Sequence, residues 1–82
     1  MLFPQRPIVK TKQDFAKLLF EMLDHNDAVK WENDTVFSYL QAMAGWLADA
    51  DGFYRNIGEN LDTAEPSWQL FADMLQAAAC YE

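Results

Sequence analysis

The sequence predicts an all-α domain of three helices, with an extended N-terminal arm and a long loop between the second and third helices. Three observations carry this. Apolar residues recur at helical spacing in three separate segments, two prolines keep the first ten residues out of a helix, and no strand-like alternation of any length appears beyond a short extended Ile8-Val9. With 82 residues there is room for one core, so residues 1–82 read as one domain, an arm over 1–10 and a helical part over 11–82. Area scaling for a chain of this size buries roughly 60% of the unfolded surface, enough for a small, well-packed core.

The arm contains Pro4 and Pro7, and the first helix begins after it. Thr11 and Asp14 stand as a capping box in which Asp replaces the usual Glu or Gln. Phe15, Leu18, Leu19, Met22 and Leu23 then mark an apolar face, with Lys17, Glu21 and Asp24 opposite. The helix is expected from Lys12 to Asn26.

The second helix opens at Trp31-Glu32-Asn33-Asp34, with Asn33 as the cap and Asp34 complementing the helix dipole. Its expected inward stripe is Val36, Leu40, Met43, Leu47 and Ala50, widened by Phe37, Ala44 and Trp46. Ala42, Ala44, Gly45 and Ala48 would admit a close neighbour, which makes this the expected central element. Asp51-Gly52 is its expected stop, with Gly52 in the left-handed conformation.

The third helix starts at Pro66-Ser67, where proline is preorganised for the first turn. Trp68, Phe71, Leu75 and Ala78 recur, with Leu70, Met74 and Ala79 beside them, to an end at Cys80. The connection over 52–65 is long for two helices and too apolar to float in water, since it holds Phe53, Tyr54, Ile57 and Leu61. It is expected to fold back and cap one end of the bundle.

Charge and composition exclude several function classes. Residues 1–30 carry five basic and four acidic groups, whereas 31–82 carry nine acidic groups and only Arg55. A net charge of −7 repels a phosphate backbone or an anionic membrane, so nucleic-acid and membrane binding are disfavoured and a basic protein partner is permitted. No apolar run reaches the length of a spanning helix, and none follows a basic segment as a secretory signal would. Cys80 is the only cysteine, so no internal disulfide forms and no cysteine zinc site can be assembled. These features favour the cytoplasm.

The chemistry-bearing patterns are sparse. If Gly52 is the glycine of a calcium loop, Leu47 and Gly58 fall where acidic ligands are required, so the match fails at both ends. His25 is the only histidine, and Ser38 and Ser67 lack a base and a glycine-elbow context. The three glycines do not form a phosphate loop. A carboxylate pair among Glu32, Asp49, Asp51 and Glu59 stays open, because sequence spacing does not decide which carboxylates approach one another. No cofactor and no metal are expected.

The twelve aromatic residues are the unusual feature, more than a three-helix core of this size can enclose. Phe20 and Tyr39 or Trp46 lie off the centres of their stripes and are candidates for exposure. Phe53 and Tyr54 can fold against Trp46 and Trp68, either fastening the loop or forming a shallow aromatic pocket. Trp46, Phe53, Tyr54 and Trp68, rimmed by Asp62 and Glu65, are therefore the candidate partner-binding residues, with aromatics as anchors and acids as a steering rim.

The string Trp31-Glu32-Asn33, Asp51-Gly52-Phe53-Tyr54, Pro66-Ser67-Trp68 and Phe71-Ala72 resembles a family of small uncharacterised bacterial domains bearing W-E-N, D-G-Y-Y, P-S-W and F-A motifs. The resemblance runs from Thr11 to the C-terminal Tyr81-Glu82, and Phe53 departs from the family's usual Tyr. It implies a defined domain without an assigned biochemical role. The leading expectation is a non-enzymatic protein-interaction domain that binds another protein or itself. The alternative is an acidic immunity- or inhibitor-type antagonist, and a third is a carboxylate-based enzyme.

Overall fold

The computed structural model describes residues 6–25 and 31–80. Within them the chain is helical, without strands, and forms four helices rather than three: α1 (Lys12–Asp24), α2 (Val36–Ala48), α3 (Ala50–Asn56) and α4 (Trp68–Ala78). The expected end of the first helix at Asn26, together with Phe3, Pro4 and the Tyr81-Glu82 terminus, lies outside the described residues.

α1 is capped as its sequence requires. The Thr11 hydroxyl accepts from the Asp14 amide at 3.1 Å, and the Asp14 carboxylate accepts from the Lys10 amide at 3.0 Å. α2 begins later than expected, with Thr35 rather than Asn33 as the cap, because Thr35 and Ser38 form a reciprocal capping box. Asn33 instead reaches across the fold. Its amide side chain donates to the Ala78 carbonyl at 2.9 Å, and its backbone N–H donates to the Ala79 carbonyl at 2.9 Å. Those carbonyls belong to the end of α4, so the W-E-N segment closes a helix terminus that its own sequence neighbourhood does not contain.

The break after α2 falls at Asp49, one turn before the expected stop. Asp51 and Gly52 lie inside α3, and Gly52 is helical. The left-handed glycine is Gly58, at φ +74°. There the Gly58 N–H donates to the Arg55 carbonyl at 3.2 Å and the Glu59 N–H donates to the Tyr54 carbonyl at 2.9 Å. This is the Schellman pattern, which two amides in sequence can complete only where the intervening residue turns left-handed. Phe53 and Tyr54 are thus helical, and the irregular connection is shortened to 57–67. Ser67 caps α4, its hydroxyl accepting from the Leu70 amide at 3.0 Å.

α2 and α4 share the centre, each packed on the other and on one further helix. α1 and α2 both pack on α4, and α3 packs on α2. The reason lies in side-chain size: Ala72, Ala77, Ala78 and Ala79 are buried and let neighbours approach the α4 backbone closely. One side of α4 contributes Leu70 and Ala77 to a cluster with Trp46, Ala50 and Tyr54, flanked by Phe53, Leu61 and Met74. Another side sets Ala72 against Val9 and Leu18, flanked by Phe15 and Met22. The arm therefore belongs to the core through Val9.

The expected inward stripe of the second helix holds in part: Trp46 and Ala50 are buried and Met43 is half-buried, but Val36, Phe37, Leu40, Ala44 and Leu47 are exposed, and Ala42 and Tyr39 turn inward instead. α2 has no charged residue to identify its wet side, so either face could satisfy the apolar periodicity. The bulk of Trp46 and the Tyr39 hydroxyl, which donates to the Leu75 carbonyl at 2.5 Å, decided the orientation.

Candidate functional site

Two features stand apart from ordinary packing: a buried polar cluster that anchors the arm, and an apolar surface along α1 and α2. The cluster centres on Asp73, 1% exposed in the middle of α4. Its carboxylate accepts from Arg6 Nε at 2.9 Å and Arg6 Nη2 at 2.8 Å, a two-pronged geometry that suits the planar guanidinium. Tyr54 Oη donates to the same carboxylate at 2.6 Å, and Gln69 Nε2 at 3.0 Å. A carboxylate removed from water needs this many donors.

The cluster extends outward. Arg6 also pairs with Glu59, and its guanidinium lies 5.8 Å from the centroid of the Tyr54 ring. Gln69 fastens the arm twice, donating to the Pro7 carbonyl at 2.9 Å and accepting from the Val9 amide at 2.7 Å. The side-chain hydrogen bonds to Asp73 raise the pKa of Arg6 well above its ordinary value. Burial, then the hydrogen bond to Asp73, pushes the Tyr54 phenol well above its usual range. Both shifts favour the protonated partners at neutral pH. The arrangement can hold a chain segment in place, but each of its groups is engaged with another.

The sequence-derived candidates divide. Trp46, Phe53 and Tyr54 do come together, with ring centroids 5.4 Å apart for Trp46 and Phe53, 6.2 Å for Trp46 and Tyr54, and 5.0 Å for Phe53 and Tyr54. They form core, since Trp46 and Tyr54 are buried and Phe53 half-buried. Trp68 is 37% exposed and stacks elsewhere, against Phe15 at 5.4 Å and Phe71 at 6.1 Å. Asp62 and Glu65 are exposed. Asp62 accepts from the Ala64 amide at 2.9 Å, and Asp51 accepts from the Thr63 hydroxyl, so these acids hold the loop in shape. Of the proposed exposed aromatics, Phe20 is exposed, Tyr39 half-buried and Trp46 buried.

The apolar surface was missed as a site. The outward face of α2 consists of Val36 (78% exposed), Phe37 (75%), Leu40 (57%) and Leu47 (44%), with the exposed Gln41, Ala44 and Ala48 among them. Six of these seven residues are apolar and none is charged. Beside it runs an open apolar groove of about 370 Å³, lined by Leu19, Met22 and Leu23 of α1 with Trp31, Tyr39 and Leu75. A second depression lined by Trp31, Tyr39 and Val36 joins the groove to the start of α2. Burial raises the pKa of the Tyr39 phenol. The signal was present in the sequence: thirteen consecutive residues without a charge, with only Ser38 and Gln41 strongly polar, make a helix more apolar than one neighbour can cover.

Reactive groups are few. Burial, and then the negative charge of Glu32, pushes the Cys80 thiol pKa up, the opposite of what a nucleophilic thiolate requires. Among the described residues no group of three or more His, Cys, Asp and Glu side chains could hold a metal ion, and no helix is long and apolar enough to cross a membrane. No curated protein and no solved structure matches the chain. The model of the family of unknown function DUF7660 matches residues 11–82, a span that takes in Tyr54, Gln69 and Asp73 and leaves Arg6 just outside it, and the chain belongs to that family.

Proposed function

We propose that this is a non-enzymatic protein-interaction domain whose contact surface is the outward face of α2 with the adjoining α1 groove. The observation that carries the reading is the uncharged apolar stripe of Val36, Phe37, Leu40 and Leu47, left open to water on a chain that otherwise carries a net charge of −7. The largest contiguous apolar patch on a monomer is typically about 300–600 Å² and is often its functional surface. The surface differs from the 46–68 region singled out by the sequence, where the aromatics lie largely within the core.

The carboxylate-enzyme alternative loses ground because two of its four candidate carboxylates are engaged within the chain, Asp51 with Thr63 and Glu59 with Arg6. The antagonist alternative loses support for a related reason: Asp51, Glu59 and Asp62 are engaged in contacts within the chain. The acidic surface continues to disfavour nucleic acid and anionic membrane.

A photo-crosslinking amino acid at position 37, in cells that make the protein, tests the reading. Irradiation is expected to give discrete protein adducts, and the same residue at exposed position 56 on α3 should give none. Equal or absent labelling at the two positions would overturn it.

A further inference from the structure

We infer that the occupant of this face is a second copy of the chain, paired antiparallel through α2. This rests on the interaction reading above and names its partner. The outward face of α2 is graded in size, with Val36, Phe37 and Leu40 in its first half and Ala44, Leu47 and Ala48 in its second. An antiparallel pair sets Val36 and Phe37 of one copy against Leu47 and Ala48 of the other, and Leu40 against Ala44. Val36 then meets Ala48 and Leu40 meets Ala44, large against small, while Phe37 meets Leu47 as the one large pair of each half. A two-fold interface must be complementary to itself, and this gradient meets that condition. Parallel pairing would set large against large.

Area supports the assignment. At their exposures, Val36, Phe37, Leu40 and Leu47 leave on the order of 500 Å² open per copy, taking about 150–250 Å² for a whole large apolar residue. Two copies therefore cover up to about 1,000 Å² with these side chains alone, near the floor for a specific interface. Leu19 and Leu23 in the adjoining groove raise that toward the roughly 1,200–2,000 Å² of stable complexes.

Charge separates a second copy from a basic partner. Two chains of −7 repel at long range, but the α2 face places no like charges opposite each other. Salt screens the long-range repulsion within about 8 Å at physiological ionic strength, so it leaves this dimer unchanged or tightens it. A complex with a basic partner would loosen instead.

Sedimentation equilibrium of the whole chain between 10 and 200 µM (concentrations of our choosing, on the order of common interface affinities) tests the inference. The expected result is a mass rising to twice that of the chain, unchanged or favoured by added sodium chloride. Leu40→Glu should weaken association at least tenfold while keeping the helical circular-dichroism signal, since Leu40 is exposed. If that variant unfolds, Phe37→Gln makes the same test. A wild-type monomer throughout, a dimer indifferent to both substitutions, or a dimer weakened by salt would each overturn the pairing. A monomer that still gives position-37 adducts of some other mass removes the second copy and leaves the interaction reading intact, whereas loss of those adducts removes both.

Discussion

Asp73→Ala would strike the fold where charge, burial and long-range contact coincide. The side chain is 1% exposed and accepts two hydrogen bonds from Arg6, one from Tyr54 and one from Gln69. Removing one partner of such a pair strands the others and costs about 3–5 kcal/mol. A chain of 82 residues has roughly 4–12 kcal/mol in total, at about 0.05–0.15 kcal/mol per residue. The substitution therefore removes about a quarter or more of the stability. With an m-value of about 1 kcal/mol/M, the urea midpoint should fall by about 3 M or more, or the protein should be unfolded in buffer. Arg6→Ala should cost less, because Tyr54 and Gln69 still solvate the carboxylate. The double variant should fall short of the sum by more than about 0.5 kcal/mol, the range within which independent sites add. A chain beginning at Thr11 should lose stability in the same way, and Asp73→Ala should cost it less than it costs the whole chain. An Asp73→Ala cost below about 1 kcal/mol, or strict additivity with Arg6→Ala, would refute the claim that the pair ties the arm to α4.

Glycine substitutions should separate Gly52 from Gly58. At Gly58, with φ +74°, alanine should cost on the order of 1 kcal/mol, whereas helical Gly52→Ala, whose Cβ meets only the end of the Arg55 side chain at 3.7 Å, should be neutral or gain up to about 1 kcal/mol by urea denaturation. Tyr54 should give an alkaline signature. Its folded pKa lies above the ordinary 10, so its stabilising contribution is complete below about pH 10 and is lost as pH rises through the folded value. Urea midpoints should therefore decline above pH 10, and less steeply in Tyr54→Phe; parallel curves would count against the buried phenol. Asn33→Ala should lower stability by about 1–2 kcal/mol by uncovering the Ala78 carbonyl, and hydrogen exchange should rise at the end of α4 rather than at the start of α2.

Local chemistry was legible in part where a residue and its partner lie within one turn. Thr11 with Asp14 starts α1 as the sequence indicates, because a short side chain reaches an amide three residues on. α2, in contrast, is capped by Thr35 instead of Asn33, and α4 starts at the expected place through a Ser67 cap with Pro66 ahead of it and not in the first turn. The all-helical class and the apolar faces of α1 and α4 follow from periodicity alone. Apolar periodicity could not decide which face of α2 turns inward, since that helix has no charged residue, and of the expected stripe Val36, Leu40 and Leu47 face water while Met43 and Ala50 lie inward. The Asp51-Gly52 pair read as a stop because glycine tolerates a left-handed turn. Gly58, six residues later, takes that conformation, and the chain breaks at Asp49 without one.

Residue order alone carries the helical class, the Thr11 cap, the acidity and an excess of aromatic residues over what one small core accepts. The tertiary structure alone decided which aromatics are core and which surface is open. Arg6 and Asp73 are 67 residues apart and Asn33 and Ala78 are 45 apart, so no local pattern could pair them. Asp73 read as one more acidic residue on a helix. It became the anchor of the arm only when α3 brought Tyr54 and the N-terminal segment brought Arg6 to the same buried point, because a carboxylate out of water is stable only where several donors converge on it.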